Sequence, residues 1–228
     1  MGDARAATPL MLRVTSRAGA VVVAAEDRGD VQVEGGAGAL RTTDDGLTVE
    51  GGRGRVAVRC PTGTDVFIGA GSGSVTVTGA VGAARVTSAR GRVTIEHARE
   101  VDARTGSGAV DVGTCEGACR VKSGRGMVRV GRAASAELSA ERGRVEVGAV
   151  GPVKVRVGRG SVSVGLAEAA TVELETHAGA ITVTVPHGVR PALALQARRG
   201  QVRCDFSPGR DGEIRATTAN GQIVVAER

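Results

Sequence analysis

RGRVEVGAVGPVKVRVGRGSVSV, residues Arg142 to Val164, carries Gly-x-Val-x-Val twice, at 143–147 and 160–164, on either side of the alternating run Val153-Lys154-Val155-Arg156-Val157. Strict alternation of apolar and polar residues marks a strand with one buried face, and glycines punctuate such strands at turns. The stretch therefore reads as strand, glycine corner, strand, glycine corner.

Extended in both directions, this template places anchor glycines at Gly54, Gly73, Gly91, Gly108, Gly126, Gly143, Gly160, Gly179, Gly200 and Gly221. The intervals from Gly73 to Gly160 are 18, 17, 18, 17 and 17 residues, too short for any one repeat to bury a core alone. The reading is an all-β, single-chain β-solenoid with turns of about 17–21 residues, covering 10–228 as one domain after a short tail at 1–9.

The register assigns faces. Residues two and four after each anchor point inward, as in Val75/Val77, Val93/Ile95 and Val162/Val164. So do residues five before it, such as Ile68, Val86 and Leu195, while the small residues three before it sit beside a tight corner. Cys119 and Cys204 fall in inward slots and read as small buried hydrophobes. Gly29-Asp30-Val31-Gln32-Val33 reads as a less regular copy of the repeat, and Cys60-Pro61-Thr62-Gly63-Thr64 as a turn.

Composition agrees with a thin coil. There are 36 glycines, two phenylalanines (Phe67 and Phe206) and no tryptophan or tyrosine, so the interior is filled by Val, Ile, Leu and Ala. Each fully buried Val or Leu contributes roughly 1.5–3 kcal/mol. The start of the chain has no signal-peptide pattern and no run reaches transmembrane length, so the expectation is a cytoplasmic protein without a membrane span.

With the Val58–Val66 entry and the Thr217–Ile223 exit, the repeats resemble a bacterial adhesin-like domain of unknown function over nearly the whole chain, about 12–226. The resemblance implies a β-solenoid and a non-catalytic binding or scaffold role, and brings no catalytic residue with it. A looser likeness is to the bactofilins, cytoskeletal β-helix proteins with short repeats and stackable ends.

Motifs for chemistry are weak. The Gly-x-Gly pairs lack the Lys-Ser/Thr and the following helix of a phosphate loop. Cys115, Cys119 and His97 come near one corner but have no fourth ligand. The paired acids Asp44/Asp45 and Glu173/Glu175 fall on a turn and an outward face. No enzyme, metal or cofactor is expected. The distinctive outward feature is the residue before each anchor, which is arginine at Arg53, Arg90, Arg125, Arg142, Arg159 and Arg199. Within a net charge of +6 this is a candidate stripe for an acidic polymer. The last strand, Ile223-Val224-Val225, is the candidate edge for self-association or a protein partner through the solenoid ends.

Overall fold

The computed structural model describes residues 11–43 and 46–228, which form an all-β fold; among them there is no helix. The strands are β1 (Met11–Ala18), β2 (Val21–Glu26), β3 (Gln32–Thr43), β4 (Gly46–Pro61) and β5 (Asp65–Ser72). Next come β6 (Val75–Arg90), β7 (Val93–Ser107), β8 (Val110–Val150), β9 (Val153–Leu166) and β10 (Thr171–Ala178). The last are β11 (Ile181–Val185), β12 (Ala192–Arg199), β13 (Val202–Cys204), β14 (Glu213–Asn220) and β15 (Ile223–Glu227).

Every described strand pair except β3–β4 is parallel. Through the middle, partners advance by one repeat: Val75 faces Val93, Val93 faces Val110, and Ala136 faces Val153. Such partners lie in adjacent layers, one repeat to a layer. Register shifts fall between Val77 and Ala80, Ala98 and Val101, and Val147 and Ala149. Towards the N-terminus five parallel strands close a ring, β6–β2–β4–β1–β5 and back to β6.

Both ends depart from sequence order. β1 lies between β4 and β5, and β2 between β4 and β6. At the other end β14 lies between β10 and β12, and β15 between β11 and β13. The terminal segments of the ladder are thus one layer in from its extremities. The stretch at Gly29–Val33 is not another parallel repeat: β3 returns antiparallel along β4, with irregularities at Gly35/Ala37 and Ala37/Ala39 in its glycine run. A glycine-rich strand can kink there and tolerate an unpaired residue.

The alternation predicted from the register is observed. The Val and Ile pairs after each central anchor are buried, as are Ile68, Val86, Val121, Leu138 and Val155. Leu195 and Ala197 are only partly buried, and Cys204, expected in the core, is exposed. The cause is position: β12 and β13 pair on one side only, so their inward slots lack an outer covering layer.

Candidate binding surface

Small corner residues shape the backbone beneath the arginine stripe. The buried hydroxyls of Ser16, Ser88 and Thr105 donate to the carbonyls of Ala18, Arg90 and Ser107 two residues later, at 3.5, 3.3 and 3.3 Å. The same row of carbonyls accepts from anchor glycines of the preceding layer, as in Gly73 N to Arg90 O at 3.1 Å and Gly108 N to Arg125 O at 2.8 Å. The side chains at these positions are left facing outward.

Pairing gives their order along the ladder. From the N-terminal extremity it runs Arg53, Ala18, Ser72, Arg90, Ser107 and Arg125. Arg142 follows, since Gly143 stacks on Gly126, and then come Arg159, Ala178, Asn220 and Arg199. All six predicted stripe arginines are exposed, but the structure brings together only Arg125, Arg142 and Arg159, in successive layers. Arg53 and Arg199 stand at opposite extremities, and Arg90 is separated from Arg125 by Ser107. At about 4.8 Å per layer the central three span roughly 10 Å.

Elsewhere outward charges are matched between layers. Arg120 meets Glu137 at 3.7 Å, Lys154 meets Glu173 at 2.8 Å, Arg156 meets Glu175 at 3.5 Å, and Arg129 meets Glu146 at 3.0 Å. The Lys154 ammonium holds the Glu173 carboxyl below its ordinary range. Among the described residues none of the six stripe arginines has such a partner. Stacked like charges repel, so Arg125, Arg142 and Arg159 form a ridge that an added anion would relieve.

The other candidates are placed as follows. His97 turns outward and its Nε2 lies 2.9 Å from Glu116 Oε1, whereas Cys115 and Cys119 are buried. Cys115 Sγ donates to the Arg99 carbonyl at 3.7 Å; the neighbouring Cys119 thiol holds Cys115 below the ordinary thiol range, and the same interaction with burial pushes Cys119 up. Among the described residues no three metal-binding side chains gather. Glu173 and Glu175 are the ladder acids already described; Asp44 and Asp45 lie outside the described residues.

The candidate edge is corrected. Ile223, Val224 and Val225 pair with Ile181, Thr182 and Val183 on one side and with Val202, Arg203 and Cys204 on the other. The one-sided edge belongs to β12 and β13. There Val202 is 46% exposed, the one large exposed hydrophobic among the described residues. At the same extremity Arg190 lies over the Phe206 ring at 5.3 Å and binds Glu227 at 3.0 Å. The Gly188 backbone N–H, followed by Arg190, holds the Glu227 carboxyl below its ordinary range. Sequence reasoning missed this edge because strand order is not encoded in any one repeat.

No family model matches the chain, and no curated protein does. Among solved structures, a Clostridium sporogenes protein described as a "putative cell adhesion protein" is similar at 8% identity and a TM-score of 0.26, over 96% of this chain and 93% of that one. That degree of similarity says nothing about function here. Among the described residues no helix is long and apolar enough to cross a membrane.

Proposed function

We propose that the chain is a non-catalytic β-solenoid binding module, adhesin-like in build, whose contact surface for an acidic polymer is the Arg125–Arg142–Arg159 ridge. The observation that carries this reading is the contrast between the unpartnered ridge and the paired charges on the neighbouring faces. The ladder's advance of one repeat per layer supports a coil in which the ridge runs along the axis. The non-catalytic reading is supported by the depression on the central face, whose walls include the ladder ion-pair residues Arg120, Glu137 and Lys154. Replacing Arg125, Arg142 and Arg159 together by Gln lowers affinity for heparin and duplex DNA, and reduces the slope of log K against log salt by about 3. Unchanged binding and slope in a folded triple variant would remove the ridge from the proposal.

A second reading, end-on self-association, is favoured by the exposed Val202 on the one-sided β12–β13 edge. Two copies meeting by these like ends would pair edge to edge and close as a dimer. Sedimentation under reducing conditions, so that exposed Cys204 cannot cross-link, shows a concentration-dependent dimer that Val202→Lys abolishes. A wild type that stays monomeric at high concentration rules this association out.

A further inference from the structure

The inversion of layer order near the N-terminus does more than cover an end: it assembles a cluster that no neighbouring repeats contain. β1, between β4 and β5, puts Arg13 beside Phe67, and β6 puts Arg85 on the other side. The two guanidinium carbons lie 5.9 and 5.0 Å from the ring centroid, so Phe67 carries a cation on either side. One of only two aromatic residues in the chain is therefore half-exposed on an outward face rather than in the core. The ring fixes both guanidiniums by cation–π contact and leaves their N–H edges free to donate.

Two residues further along these strands the outward row reads Thr15, Gly69, Thr87. With no side chain at Gly69, a depression of about 320 Å³ opens between the two threonines, and Arg13, Phe67 and Arg85 also line it. Arg104 borders it from the next layer. The acid in the lining, Asp102, is held by Arg104 at 3.2 Å. Among the described residues Arg13 and Arg85 make no ion pair: Asp102, opposite Arg85 in the ladder, is taken by Arg104.

We propose that this depression is an anion site for the phosphate group of a small phosphomonoester. A tetrahedral phosphate presents three terminal oxygens in different directions, so it can accept from guanidiniums on two sides and from the threonine hydroxyls. A planar carboxylate offers two oxygens in one plane and suits a single guanidinium fork. The site is separate from the arginine ridge: Phe67 lies five residues before the ridge-row residue Ser72 on the same strand, roughly 17 Å away.

Calorimetric titration of the full chain with inorganic phosphate, glycerol 3-phosphate and acetate at fixed ionic strength tests the proposal. Phosphate and glycerol 3-phosphate bind, and acetate is at least about tenfold weaker. Tighter binding of glycerol 3-phosphate supports an esterified ligand, whereas preference for inorganic phosphate overturns the phosphomonoester in favour of the free ion. Arg13→Gln and Arg85→Gln each weaken binding by about tenfold, the scale of one charged hydrogen bond. Gly69→Thr fills the depression and abolishes binding. The new Cβ would meet only Thr15 Cγ2, at 3.8 Å, and threonine already occupies the same row in both adjacent layers, so the fold tolerates the change. In the ridge triple variant, Arg13→Gln and Arg85→Gln still weaken phosphate binding by about tenfold. Absence of phosphate binding, acetate binding as tightly, or full binding by Gly69→Thr with an unchanged melting temperature overturns the assignment.

Discussion

Gly143→Ala destabilises the chain by about 3–5 kcal/mol, in the range of a forced backbone conformation combined with a buried clash. Gly143 sits at φ 139°, a region that L side chains rarely adopt. A Cβ there would run into the Gly126 carbonyl oxygen, and Gly160 stacks on Gly143 in the same way. The damage is not local, because shifting one anchor moves the hydrogen-bonding carbonyls of two layers. Gly52→Ala, with nothing within 4 Å of the new Cβ, should stay within about 0.5 kcal/mol of the wild type. Urea denaturation of the two variants measures the difference. Similar midpoints for both would mean that the anchor row does not set the layer spacing.

Ile223→Ala costs about 2–4 kcal/mol, whereas Val202→Ala costs about 0.5 kcal/mol or less. Ile223 is fully buried with Ile181 and Val202 as its neighbours in the ladder, while Val202 has a neighbour on one side only and is 46% exposed. A coil wound strictly in chain order would reverse the two, placing Val202 in the interior and Ile223 at the edge. Thermal or urea melting of both variants therefore reads out the layer order directly. A larger loss from Val202→Ala would contradict the inverted end.

Which residues face inward was legible because alternation is local: a valine two residues after a glycine corner is buried whichever layer lies next to it. The outward placement of Arg125, Arg142 and Arg159 followed from the same register. The order of layers was not legible. Nearly every repeat offers the same Gly-x-Val-x-Val edge, so parallel pairing carries no label for its partner. Cys204 illustrates the difference, occupying an inward slot by pattern and an exposed one because its layer is the outermost. Arg13 and Phe67 illustrate it more sharply: fifty-four positions separate them in the chain, and they meet only because β1 enters between β4 and β5. The antiparallel return of β3 was hidden for a related reason, since alternation does not report strand direction.

The placement of β14 and β15 inside β12 and β13 also bears on how the C-terminal extremity comes apart. In a coil wound in order, the outermost layer is a free tail and frays by peeling. Here the outermost layer is joined at both of its ends, through 186–191 to β11 and through 205–212 to β14. If it detaches it becomes a closed loop of roughly 25 residues, and closure withholds about 3 kcal/mol of the entropy that a free tail would gain. β14 and β15, which follow this layer in the chain, cannot leave first without breaking ladders on both of their sides. Connectivity thus adds a latch to the ladders and the Arg190–Glu227 pair that already hold the extremity.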